Sequence, residues 1–111
     1  MHAEAWAADH ASGAPALCLR LSVACKVTGY TGDTAWTSAI TKVAAAADLL
    51  IAEPYYRDKP VPCHLRLADL ELHRAELASR QIILTHVSAD MLAVPDPRDY
   101  EIASDGLSLR I

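Results

Sequence analysis

At 111 residues the chain is one domain at most, able to bury about 60–65% of its unfolded surface around one modest core. The formal net charge of −4 argues against a broad, salt-driven nucleic-acid surface, although a local metal pair can still neutralise a phosphate. The hydrophobic content of 52% lies in short runs well below the ~20 residues that span a bilayer, and three cysteines without Cys-x-x-Cys spacing give neither a disulfide framework nor a zinc knuckle. Residues 1–4 show no basic start followed by an apolar stretch, so no signal peptide is read and a cytoplasmic location is expected.

Ala3 to Ala8 reads as a short strand anchored by Trp6, and Asp9 to Pro15 reads as a loop by its turn residues. Leu17, Leu19, Leu21 and Val23 alternate with Cys18, Arg20, Ser22 and Ala24, which predicts a strand with one apolar face. A turn at Cys25-Lys26 leads into a strand from Val27 to Tyr30, making a hairpin. From Ala35 to Ala47 the pattern is helical, with Ile40, Val43, Ala44 and Ala47 on one face and a run of alanines favouring helix. Asp48 to Glu53 reads as a short buried strand. Pro54, Pro60 and Pro62 then predict an irregular loop.

A second helix fits Leu67 to Ala78, with Leu67, Leu70 and Leu77 as its spine. Gln81 to Thr85 is a strand, and Ser88 can cap a short helix at 89–93. Asp96-Pro-Arg-Asp99 is a loop. Tyr100 to Ala103 and Leu107 to Ile111 bracket Ser104-Asp-Gly106, a hairpin turn signal. The alternation of strands and helices, with antiparallel hairpins at both ends, predicts an α/β (α+β) layer built on a mixed sheet.

Two strand ends carry candidate chemistry. Lys26-Val-Thr-Gly-Tyr-Thr-Gly-Asp-Thr34 runs from an apolar strand into a tight turn bearing Asp33, where open sheets build their sites. Gln81-Ile-Ile-Leu-Thr-His86 ends on His86 in the same way. Asp33 can instead be an N-cap of the following helix, and His86 a hydrogen-bonded structural residue. As a pair, a carboxylate and an imidazole can supply two ligands to one metal centre. His73 reads as a solvated helix residue and His2 as disordered. No Gly-x-Ser-x-Gly, Walker loop or Gly-x-Gly-x-x-Gly competes for the site.

Tyr30-Thr-Gly-Asp-Thr34 and Leu84-Thr-His86, with Ala47-Asp-Leu-Leu-Ile-Ala-Glu53 between them, resemble the second half of a metallo-β-lactamase-fold hydrolase. The branch with ribonuclease Z-like and phosphodiesterase-like members is the most similar. Ala103-Ser-Asp-Gly-Leu-Ser-Leu-Arg-Ile111 resembles its closing strand pair, so the likeness runs in order over nearly the whole chain. The resemblance implies the C-terminal half of an αββα sandwich, a mixed sheet with helices on one face, spanning 1–111 as a partial domain. It implies Asp33 as a carboxylate bridging two metals and His86 as a metal ligand. It implies His64 as a general acid facing the leaving group, where the residue can equally be read as an exposed loop histidine, Glu53 as a residue orienting that site, and His10 as a pocket histidine that is not a ligand. The implied cofactor is a pair of zinc ions, with manganese or iron as alternatives, acting on a small-molecule or phosphodiester substrate.

The family's diagnostic His-x-His-x-Asp-His does not occur in these 111 residues; in relatives it lies upstream of the matching segments. Two ligands for two metals predict weak metal binding and poor turnover by this chain alone. The alternative is a non-catalytic remnant or interaction subunit. In either case Leu17, Leu19, Leu21 and the 48–52 strand are expected to lose their cover, which predicts self-association or pairing with an N-terminal half.

Overall fold

The alternating segment 17–23 finds a partner on each side. In the computed structural model, which describes residues 1–93 and 100–111, Leu17–Val23 (β2) pairs antiparallel with His2–Ala7 (β1) and with Lys26–Tyr30 (β3). His2 is thus ordered as the first residue of a strand, contrary to the sequence reading. Val23 pairs with Lys26, so the hairpin turn is Ala24-Cys25 rather than Cys25-Lys26. Both turn residues have positive φ, 47° and 65°, the backbone that two-residue hairpins require and that Asn-Gly usually supplies.

The helix after β3 is shorter than the periodicity predicts. It spans Ser38–Ala44 (α1), with Thr37 at the N-cap position. At its end the Arg20 guanidinium donates to the carbonyls of Val43 and Ala45, Ala46 turns left-handed at φ 50°, and Ala47 is drawn into sheet pairing with Ser79. Alanine's helix propensity is thus overridden by strand pairing and a side-chain cap. Ala47–Ala52 (β4) follows and runs parallel to β3.

The proline-rich stretch is not wholly irregular. Pro54–Tyr56 (β5) and Leu65–Arg66 (β6) form a small parallel pair. Leu67–Leu72 (α2) begins with the Asp69 carboxylate accepting from the Arg66 backbone at 2.9 Å and its guanidinium at 2.6 Å. The predicted helix to Ala78 breaks at His73 (φ −100°, ψ 15°), whose ring stacks on Trp36 at 3.9 Å, and continues only as a 3₁₀ turn over Arg74–Glu76.

Ser79–Leu84 (β7) pairs parallel with β4. Ala89–Leu92 (α3) has Ser88 at its N-cap position, but the hydroxyl makes no capping bond. Glu101–Ile102 (β8) pairs parallel with β7, and 107–111 forms no strand among the described residues, so the expected closing hairpin is replaced by a parallel edge. A turn at 104–107 persists, with the Leu107 amide donating to the Ser104 carbonyl at 3.0 Å. The loop expected at 96–99 lies outside the described residues.

The result is a mixed six-stranded sheet in the order β1-β2-β3-β4-β7-β8 beside the small β5-β6 pair. One face carries the core: Cys18, Leu50, Ala52, Ile82 and Leu84 meet Ile40 and Val43 of α1, Leu67 and Leu70 of α2 and Met91 of α3. Burial pushes the Cys18 thiol up to about 11, so it behaves as a small apolar side chain. Gly29 lies at the closest approach of sheet and helix, where any Cβ would collide with the Val43 carbonyl.

The opposite face is partly bare. Leu17 and Val23 are 46% and 50% exposed, and Leu19 and Leu21 are half-buried, as the sequence predicts. The 48–52 strand departs from that expectation, with Leu49 only 6% exposed and Leu50 and Ala52 fully buried. No helix among the described residues is long and apolar enough to cross a membrane.

Candidate metal centre

Parallel pairing brings three strand ends together. Tyr30 is in register with Ile51, and Ile51 with Ile83, so the chain leaves β3, β4 and β7 at one level of the sheet. Asp33, Glu53 and His86 each follow one of these ends. Pairing continues past the strands: the Thr31 amide donates to the Ile51 carbonyl (3.0 Å) and the Thr85 amide to the Ala52 carbonyl (2.9 Å). The buried Thr31 hydroxyl accepts from the Glu53 amide at 3.2 Å and donates to the Gly32 carbonyl at 2.9 Å. Gly32, at φ 57°, makes the turn that presents Asp33. His86 holds a left-handed backbone at φ 51° without being glycine, a strained geometry typical of functional positions.

The three side chains offer ligand atoms that all lie within 4.8 Å of one another. His86 Nδ1 is 3.0 Å from Asp33 Oδ1 and 3.3 Å from Glu53 Oε2. Burial alone would lower the His86 imidazole, but the charges and hydrogen bonds of Asp33 and Glu53 outweigh it and hold it above its usual 6.5. Glu53 is 6% exposed, and its other oxygen accepts from the Tyr30 hydroxyl. That hydrogen bond, then burial, then the charges of Glu53 and Asp33 push the Tyr30 phenol up to about 12. It therefore remains a donor throughout the neutral range.

His64 joins the same cluster from the turn before β6. Its Nδ1 lies 3.2 Å from Asp33 Oδ1, ion-pair distance, yet is directed so that it makes no hydrogen bond. Rings surround it: His10 edge-on at 5.4 Å, Tyr55 at 5.4 Å and His86 at 6.3 Å. His73, expected to be solvated, is instead engaged with Trp36 and accepts or donates to Glu76 at 2.7 Å.

Asp33 is not a helix cap, since α1 begins at Ser38 behind Thr37. Of the residues singled out in the sequence, Asp33, Glu53, His64, His86 and His10 converge. The sequence reading assigned Glu53 only an orienting part; its place in the donor set follows from strand register, which a lone sequence does not display. Two carboxylates and one imidazole suit zinc, manganese or iron, and their ligand atoms lie close enough together to meet at one cation. The residues present therefore fit a divalent metal.

No protein-family model and no curated protein matches the sequence. Solved structures do match in fold. The metallo-β-lactamase fold protein YhfI from Bacillus subtilis superposes with a TM-score of 0.76 at 18% identity, over 95% of this chain and 48% of that one. Human tRNase Z, short form, gives a TM-score of 0.71 at 18% identity, over 98% of this chain and 43% of that one. The chain thus has the metallo-β-lactamase fold, and it spans about half the length of these two proteins.

Proposed function

We propose that this chain is the ligand-bearing C-terminal part of a metal-dependent hydrolase. The observation that carries the reading is the convergence of Asp33, Glu53 and His86, with donor atoms within 4.8 Å, at adjacent ends of parallel strands. Asp33 Oδ1, Glu53 Oε2 and His86 Nδ1 would hold the cation, zinc in the first instance. When bound, such an ion lowers the pKa of a coordinated water to roughly 7 and polarises a phosphoryl or acyl oxygen. Asp33, whose carboxylate has two oxygens, would also be able to touch a second ion in a complete domain, with the remaining ligands supplied by other residues. Tyr30 holds Glu53 in place by donating to its far oxygen. His64, beside Asp33, is the proton donor for a leaving oxygen.

Calorimetric titration of the metal-free chain with Zn²⁺ and with Mn²⁺ tests the reading. Saturable binding is expected, lost at least ~100-fold in Asp33→Asn and His86→Ala, since even an outer-shell partner of a metal is worth 10–100-fold. Absence of saturable binding, or equal binding by both variants, would sink the proposal.

A second reading is a non-catalytic remnant or interaction subunit without turnover. Hydrolysis of bis(p-nitrophenyl) phosphate by the metal-loaded chain separates the two. Because this chain alone is expected to turn over poorly, the assay is repeated with a polypeptide carrying His-x-His-x-Asp-His: turnover that disappears in His64→Ala favours the hydrolase, and binding without turnover even then favours the subunit. The bare face around Leu17 and Val23 also supports self-association or pairing with a further sheet layer. A clean monomer on sedimentation at micromolar concentration would count against that.

A further inference from the structure

We infer that His10 is a positioning residue that holds the His64 ring against Asp33 by ring packing. The inference rests on the proposed role of His64 as proton donor and adds the means by which its ring is oriented.

His64 lacks the hydrogen bond that normally orients a functional imidazole. Its Nδ1 is buried and makes none, although Asp33 Oδ1 is only 3.2 Å away. Its backbone amide is fixed, donating to the Val61 carbonyl at 3.2 Å, and the preceding Cys63 is left-handed at φ 63°. Those bonds fix where the side chain starts but leave its torsions free. What remains to set the ring plane is contact with other rings. His10 meets it edge-to-face, at 86° and 5.4 Å, the preferred geometry for an aromatic pair. Tyr55 meets it at a looser 40° tilt.

His10 can serve as a wall only if its own loop is held, and it is. The Asp9 amide donates to the Thr34 hydroxyl at 2.8 Å, and the Ala35 amide donates to the Asp9 carbonyl at 3.0 Å. The Ser12 amide closes on the His10 carbonyl at 3.1 Å. Thr34 is fully buried and adjoins Asp33. The β1–β2 loop is therefore bolted to the turn that carries Asp33, which holds His10 in a fixed place beside the His64 ring. No bond to the His10 ring nitrogens is needed for this role, and none occurs among the described residues' hydrogen bonds or ion pairs.

The test uses the full metal-free chain labelled with ¹⁵N-histidine, so its result does not depend on whether the hydrolase reading holds. In the wild type, the His64 ring nitrogens should report one tautomer with a nuclear Overhauser contact to the His10 ring. His10→Ala should leave the sheet amide spectrum in place but collapse the His64 signals to a tautomer average. His10→Phe, which keeps a flat ring and removes the nitrogens, should restore the wild-type pattern. Four results would overturn the inference. They are an averaged His64 in the wild type, an unchanged His64 in His10→Ala, a His10→Phe variant as disordered as His10→Ala, or global unfolding of His10→Ala. The last would make His10 a fold residue rather than a positioning one.

Discussion

Strand β4 carries a carboxylate near each end, and the two are treated in opposite ways. At its start Asp48 accepts from the Val27 amide at 3.0 Å, from Lys26 at 3.3 Å and from Arg80 at 3.3 Å. One carboxylate there has two cations and a backbone donor. Just past its end, Glu53 and Asp33 share the imidazole of His86, His64 stands 3.2 Å from Asp33 without a hydrogen bond, and Glu53 receives one neutral hydroxyl. The first end closes its own charge balance. The second leaves negative charge to be met by something else, and that asymmetry along one strand separates a structural ion cluster from a candidate binding site.

The widest separation between the ends should come from ligand removal. His86→Ala should cut Zn²⁺ affinity at least ~100-fold, whereas Asp48→Asn should leave it unchanged while lowering the melting temperature. Equal effects of the two changes in a zinc titration would erase the contrast.

Gly29→Ala tests the strand frame that both ends share. Its new Cβ would meet the Val43 carbonyl, a backbone atom that cannot swing aside, so a loss of about 3 kcal/mol is expected in urea unfolding. Binding by the fraction that stays folded should be intact.

The pH dependence of metal-free stability should have opposite signs at the two ends. His86 is held above 6.5, so its contribution is complete below that value and is lost as pH rises through the higher folded value. Asp48 is held below 3.8, chiefly by the Val27 amide, against the opposing effect of burial and with Lys26 and Arg80 lowering it further. Its contribution is complete above 3.8 and is lost as pH falls through the lower folded value. Thermal melts across pH should therefore show an alkaline decline that disappears in His86→Ala and an acid decline that shrinks in Asp48→Asn. Zn²⁺ should reverse the alkaline decline, because it binds the deprotonated imidazole.

The smallest change expected is a gain. Cys25→Gly relieves the left-handed strain of the β2–β3 turn, on the Asp48 side of the sheet, and should stabilise the chain by about 1 kcal/mol with zinc binding untouched.

Strands β1 to β4 and β7 and the helical segment before β4 were legible because each rests on local pattern, whereas Asp33 and His86, 53 residues apart, were joined mainly through the family resemblance. Leu17 to Val23 announces its strand by alternation alone, and Gly32 announces the turn. What escaped the sequence depends on contacts between distant segments. Ala45 and Ala46 are good helix formers, and only Arg20 reaching across from β2 and the pull of Ser79 end the helix early. Leu107, Leu109 and Ile111 alternate like a strand but find no pairing partner among the described residues. Glu53 is one more acidic residue until strand register sets it beside the other two.

The Tyr30 hydroxyl bears on denticity. It donates to one oxygen of Glu53, and with its phenol pushed up to about 12 it keeps its proton near neutral pH. The Glu53 oxygen that faces His86 is the one not bonded to Tyr30, and it is the oxygen the proposed centre would offer first to a cation. Under the proposed reading, two carboxylates and an imidazole would suit Zn²⁺, which takes about four mixed donors, better than Ca²⁺, which takes about 6–8 oxygen ligands.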